Sequence, residues 1–184
     1  MKQPVAVFGA GGKLGRHALG VLRRRGCAVR ALVHRTPVAD AVCVQGDIAD
    51  ARAVDEVVRG ADVVVHLATA KEDAETFFDV SIRGTFNILE ACRRHGVKQF
   101  ILLGGDAALG IWFYPQPIPI DENHPRAAYP GYYAFSKVIE EAMAEHARIM
   151  KRAHALGIRV IGCAGTVYGC PVGGDVPIEN VAKL

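Results

Sequence analysis

A doubly wound parallel sheet in an α/β domain is the fold class that this sequence predicts, and three observations predict it. Short β-branched runs alternate along the chain with longer segments of helical spacing. The runs are apolar at successive positions, as strands covered on both faces are. A glycine-rich turn links the first run to the first helical segment, where a strand hands over to a crossover helix.

The elements follow in order. "VAVF" (Val5–Phe8) is the first strand, and Leu14–Arg25 has helical spacing. "AVRALV" (Ala28–Val33) is the second strand and "AVCVQGD" (Ala41–Asp47) a short third. Ala51–Arg59 is an amphipathic helix, followed by "DVVVHLA" (Asp62–Ala68) as a fourth strand. Glu75–His95 reads as one long helix, and "QFILLGG" (Gln99–Gly105) as a fifth strand. Tyr133–Leu156 is the last helix, and "IRVIGCAG" (Ile158–Gly165) a sixth strand. Ligands of such sheets bind beyond the carboxyl ends of the strands, near the point where the strand order reverses. Gly110–Gly131 has five prolines and no periodicity. A connection that long is expected to be functional or mobile.

Composition excludes several classes. The 184 residues are 51% hydrophobic and suit one domain with a covered core. A net charge of +3 is too small and dispersed to argue for nucleic acid. The basic runs Arg23–Gly26 and Arg93–Gly96 read as helix C-termini, with cations on the dipole and glycine as the left-handed cap. Cysteines at 27, 43, 92, 163 and 170 show no CxxC spacing and have apolar flanks. They read as small buried residues in a reducing compartment. Glycines break the N-terminal apolar run too early for a signal peptide, and no segment approaches a membrane span. The expected location is the cytoplasm.

The glycine turn is the first candidate site. "FGAGGKLGRHAL" places Gly9, Gly12 and Gly15 at three-residue intervals between strand and helix. Such glycines allow a tight turn, admit a diphosphate to the backbone, and let the helix pack on the sheet. The end of the second strand selects the nucleotide. An acidic residue there suits the ribose hydroxyls of NAD, whereas a cation favours the 2′-phosphate of NADP. Here "ALVHRTP" carries no carboxylate, and His34 and Arg35 follow the strand. With Lys13 adding a further cation, NADP(H) is the expected cofactor and NAD the alternative. Asp47 at the third strand's end suits an adenine amino group, or equally a cap for the helix near Asp50.

"YPGYYAFSKVIEE" (Tyr129–Glu141) is the second candidate site. Tyr133 and Lys137 are four residues apart and so share a helix face. Either the pair is an accident of a polar face, or it is a phenol whose proton moves. An adjacent ammonium stabilises phenolate, so Tyr133 could titrate below its ordinary pKa of ~10.

In this order, the motifs resemble the short-chain dehydrogenases/reductases, in particular the extended NAD-dependent epimerase/dehydratase group. The resemblance runs from Val5 to about Pro171. "GAGGKLG" resembles the nucleotide loop, carried by Gly9, Gly12, Lys13, Leu14 and Gly15. "GDIAD" resembles the adenine-contact stretch, carried by Asp47 and Ile48. "VVVHLATA" is similar to the fourth-strand motif lining the cofactor, carried by Leu67, Ala68 and Thr69. "YYAFSKVIEE" resembles the catalytic YxxxK segment, and "GTVYGCP" the motif after the sixth strand. The resemblance implies a Rossmann-like domain over 1–184. It makes Tyr133 the acid/base and Lys137 its partner, which also holds the nicotinamide ribose. Tyr132 then reads as packing, and Tyr129 as part of the preceding loop.

The chain also departs from the family pattern. Counting back from Gly110 places Gly105 where the family has Ser or Thr beside the tyrosine. Ser81 stands for the usual Asn in the long helix, and Cys163 and Ala164 for a common Arg-Pro. The family's C-terminal substrate lobe is expected to be truncated or missing. Two functions follow as expectations. One is an NAD(P)-dependent oxidoreductase or nucleotide-sugar epimerase/dehydratase. The other is an NADP(H)-binding regulatory or redox-sensing module. The expected partner is a small molecule, a nucleotide-sugar or carbonyl compound, with a homodimer left open, and neither metal, nucleic acid nor membrane.

Overall fold

The computed structural model describes residues 2–35, 37–115, 120–121, 123–149 and 158–161. Six strands form one parallel sheet in the order β3-β2-β1-β4-β5-β6. They are β1 (Pro4–Phe8), β2 (Ala28–Val33), β3 (Val42–Gln45), β4 (Val63–His66), β5 (Gln99–Leu103) and β6 (Ile158–Ile161). β1 is central: Val5 pairs with Val29 of β2 on one side and with Val63 of β4 on the other. The strand order therefore reverses between β1 and β4, and the loops leaving these two strands flank the resulting crevice.

The helices are α1 (Lys13–Arg24), α2 (Ala51–Val58), α3 (Ala74–Thr76), α4 (Gly84–His95) and α5 (Tyr132–Ile149). Alternate side chains of each strand enter opposite cores. Ala6, Phe8 and Val64 join Val54, Ile88, Phe100 and Ala144 on the α2/α4/α5 side. Val5, Val7, Val63 and Val65 join Leu19 on the α1 side. Both basic runs end helices as expected. Gly26 (φ +72°) follows α1, and Gly96 (φ +64°) is the left-handed cap of α4. Of the cysteines within the described residues, Cys92 is buried, while Cys27 and Cys43 are only partly so.

The long helix expected over Glu75–His95 differs from a uniform α-helix. Phe77–Arg83 is π-helical between α3 and α4. Tertiary contacts occupy that wide turn: the buried Ser81 hydroxyl accepts from the Ala70 N–H at 3.0 Å, and Thr85 donates to the Ser81 carbonyl at 2.6 Å. The end of the helix expected to reach Leu156, the end of the sixth strand, and Cys163, Ala164, Cys170 and "GTVYGCP" lie outside the described residues.

Candidate cofactor and catalytic site

The glycine turn meets the β4 loop at the switch point. Gly9 has φ +81°, and a side chain there would also come within 2.5 Å of the Ala68 nitrogen. Gly9 thus brings the first turn against Leu67 and Ala68. A Cβ on Gly15 would collide with the carbonyl oxygens of Gly9 and Ala10, so this glycine seats α1 on the turn. Gly12 is different: it is exposed, and its added Cβ would meet only the Gly9 carbonyl oxygen, at 3.3 Å.

Gly12 caps α1 with no side-chain hydrogen bond, and the first turn of α1 holds no acidic residue. By contrast, Asp50 caps α2, and Asp73 caps α3. Glu72 accepts from the first amides of α5, those of Tyr132 (2.8 Å) and Tyr133 (3.2 Å). An open helix N-terminus facing a glycine cradle has the charge and space that a diphosphate needs.

At the other predicted nucleotide positions, His34 and Arg35 are exposed beyond β2. His34 Nε2 lies 3.8 Å from an Asp47 carboxylate oxygen. Asp47 accepts from the Ala49 N–H at 2.8 Å, so the cap of α2 is Asp50 and not Asp47. Ile48 turns inward: its side chain is buried in the core, where Gly84 leaves it room. Lys13 is exposed, Leu14 half-buried, and the Thr69 hydroxyl donates to the Ala70 carbonyl.

Tyr133 and Lys137 converge on the end of β5. Lys137 Nζ lies 5.7 Å from the Tyr133 ring centroid and donates to the carbonyl of Leu103, the last residue of β5. Gly105 follows within two residues, and a Cβ on it would lie 3.3 Å from the Tyr133 oxygen and 3.5 Å from Lys137 Cγ. The counting that put Gly105 beside the tyrosine thus matches the geometry. Its φ of −166° and ψ of 147° are extended backbone that any residue adopts. Asp106 is turned aside to accept from the Trp112 indole at 3.2 Å.

Tyr132 packs on Phe77, with ring centroids 5.4 Å apart, and Tyr129 stacks on Phe113 in the preceding loop. The described parts of the proline-rich segment are fastened at both sides. Ala127 N–H donates to the Ala108 carbonyl, and Arg126 pairs with Glu141 and Glu145 of α5. A cleft of about 490 Å³, lined by Tyr114, Tyr129, Tyr132 and Phe135 among others, opens beside the start of α5.

Two site features escaped the reading of the sequence. Glu72 lies in an irregular loop sixty residues before the helix it caps. Glu140, buried behind Lys137, accepts from its Nζ at 2.8 Å. The i, i+3 spacing of Lys137 and Glu140 was a visible signal for their contact, though not for their burial. Beneath them, His66 is fully enclosed and meets the Thr85 hydroxyl at 2.8 Å. Burial, helped by the charge of Lys137, lowers the His66 imidazole to about 3, so it is neutral at ordinary pH. Among the described residues, no helix is long and apolar enough to cross a membrane, and no His/Cys/Asp/Glu group of three or more could hold a metal.

Comparison with known proteins agrees with this geometry. Over 100 residues the chain is 38% identical to a uronate dehydrogenase of Pseudomonas syringae pv. tomato, covering 53% of this chain and 35% of that protein. It is 33% identical over 135 residues to a dTDP-glucose 4,6-dehydratase of Streptomyces antibioticus, covering 68% of this chain and 37% of that one. A mutant uronate dehydrogenase from Agrobacterium tumefaciens, solved with NAD, superposes with a TM-score of 0.72 at 28% identity. That match covers 82% of this chain and 57% of the other. The chain therefore spans little more than a third of these curated relatives. The profile of the NAD dependent epimerase/dehydratase family matches residues 5–170, which takes in the glycine turn, the β4 loop and the tyrosine helix together. By that match and by its strand order, the chain belongs to the NAD dependent epimerase/dehydratase family.

Proposed function

We propose that the chain is the cofactor-binding and acid–base part of an NAD(P)-dependent oxidoreductase or epimerase/dehydratase acting on a sugar acid, sugar nucleotide or related carbonyl compound. The observation that carries this reading is the convergence of the Tyr133 hydroxyl and buried Lys137 on Gly105, at the carboxyl end of β5. Gly9, Gly12, Lys13, Leu14 and Gly15 would hold the diphosphate at the open start of α1. Asp47 and Ile48 would face the adenine side, the latter through its backbone. Leu67, Ala68 and Thr69 would line the middle, and Tyr133 and Lys137 the nicotinamide ribose. The bound cofactor supplies or accepts a hydride. Tyr133 exchanges a proton with the substrate oxygen, and the Lys137 ammonium stabilises the phenolate left behind.

The preference for NADP over NAD rests on exposed His34 and Arg35 beyond β2. A second reading, a cofactor-sensing module with little turnover, is favoured by one observation: Gly105, beside the Tyr133 oxygen, carries no hydroxyl. The test is a turnover assay with NAD and NADP over uronic acids, sugar nucleotides and simple carbonyls, for the parent and Tyr133→Phe. Turnover lost in Tyr133→Phe with cofactor affinity kept supports the enzyme. Tight cofactor binding with no turnover in either protein supports the module.

A further inference from the structure

Behind the Tyr133–Lys137 pair lies a compact group of buried polar side chains. Lys137 is 2% exposed and Glu140 fully enclosed, as are Ser81, Thr85 and Ser136. One Glu140 oxygen accepts from Lys137 Nζ at 2.8 Å, and Nζ also donates to the Leu103 carbonyl at 3.2 Å. The other oxygen, Oε1, is also buried, on the side of the carboxyl that the Ser81 hydroxyl faces. A buried ion pair repays its desolvation only when the remaining lone pairs are satisfied, and here the second oxygen depends on a single hydroxyl. As a device for stability alone the arrangement gains little over an apolar pair. As a way to place charge beside a titrating phenol it is effective.

The surroundings define that charge. From α5 itself, Lys137 and Glu141 bear on the Glu140 carboxyl, and from the π-helical turn the Ser81 hydroxyl faces it. Ser81 already accepts from the Ala70 N–H, so its own proton is free to turn toward Glu140. From β4, His66 is neutral and adds no charge. Burial pushes the Glu140 carboxyl above the ordinary carboxylate range, against the opposing pull of Lys137 and Ser81.

We propose that Glu140 is a positioning residue for the Tyr133–Lys137 pair. It holds the lysine ammonium between its own carboxylate and the Leu103 carbonyl, and its negative charge offsets part of the lysine's charge at the Tyr133 phenol. The inference rests on the acid–base role proposed above for that pair. Tyr133 then keeps its proton to higher pH than it would beside an uncompensated lysine. This suits the reductive direction. With a reduced nicotinamide bound as hydride donor, the substrate carbonyl carbon would gain the hydride, its oxygen would gain the Tyr133 proton, and the phenolate left behind would face Lys137.

Ultraviolet titration of phenolate tests this without substrate or turnover. The Tyr133 component is the parent curve minus that of Tyr133→Phe, and the same difference is taken in Glu140→Gln and Glu140→Met backgrounds. Removing the carboxylate should lower the half-ionisation pH of Tyr133 by about one pH unit, the size expected for a charge two helical turns away in a partly screened site. Adding Lys137→Met should abolish that shift, because no unbalanced ammonium remains. An unchanged or raised half-ionisation pH in either folded Glu140 variant overturns the inference. So does loss of the folded circular dichroism spectrum in both, which would make Glu140 a folding residue. If the shift appears and no substrate is turned over, the enzymatic reading fails while the role of Glu140 stands.

Discussion

A side chain grown from Gly105 would reach the hydroxyl of Tyr133: its first carbon would lie 3.3 Å from that oxygen. The extended backbone at Gly105 removes any objection from positive φ, so a larger residue meets only local crowding. Gly105→Ser is expected to add a hydrogen-bond donor at the reacting oxygen and raise turnover by about tenfold to a few hundredfold. Tyr133 must yield a few tenths of an ångström. Initial rates for parent and variant, at equal cofactor saturation, are the measurement. An unchanged rate would mean that a hydroxyl at this position does not reach the chemistry.

The glycines of the first turn should separate by consequence. Gly15→Ala drives a methyl into the Gly9 carbonyl and should destabilise the fold by about 2 kcal/mol or more. Gly12→Val should leave the domain folded and abolish nucleotide binding, because its branches enter the space before the open start of α1. Thermal melts and calorimetric titration with NAD and NADP distinguish the two. Parental binding by Gly12→Val would make the loop a structural turn.

Glu72 ties the β4 loop to the helix that carries Tyr133 and Lys137. Its carboxylate replaces the missing side-chain cap at Gly131, where an added Cβ would lie 2.8 Å from a Glu72 oxygen. Glu72→Ala is expected to cost about 1 kcal/mol, roughly 2–4 °C in Tm for a domain of this size. It should lower kcat more than cofactor affinity, since it loosens the helix start and leaves the glycine turn intact. Equal losses in both would place Glu72 in general stability.

Asp55 on α2 ties that helix to the end of α4, through Arg94 and His95. Burial opposes its ionisation, yet hydrogen bonds from Arg94, His95 and Arg59 outweigh this and hold its carboxyl at about 2, against an ordinary 3.8. A carboxyl depressed in the folded state stabilises fully above its unfolded pKa and loses that contribution as pH falls toward its folded value. Its contribution, discounted for solvent screening, is about 1 kcal/mol, lost between about pH 4 and pH 2. Asp55→Asn should lower stability at pH 7 and flatten the acid limb, read by urea melts across that range. A parallel loss at every pH would sink the assignment.

Much of the site could be read from the residues because its geometry is local. Three glycines within one turn need only that turn, and Tyr133 and Lys137 need only one helix. Gly105 could be placed by counting because the strand end and Gly110 are close in sequence. The depth of Ile48 was not legible, since a strand-end residue can turn in or out and only Gly84, from another element, leaves room for it. The π-helical turn at Phe77–Arg83 was missed for a similar reason. Its hydrophobic spacing is helical, and it is the Ala70 amide that engages Ser81 inside it.

By itself, the sequence determined the alternation of strand and helix, the parallel sheet, the glycine turn and the tyrosine–lysine pair, because each follows from spacing within a short window. Only the tertiary structure decided that Glu72 caps the tyrosine helix from sixty residues away, and that Lys137 and Glu140 share a buried space. Burial sets the strength of a charge, and burial is a property of how distant elements close over one another, which short-range spacing does not encode.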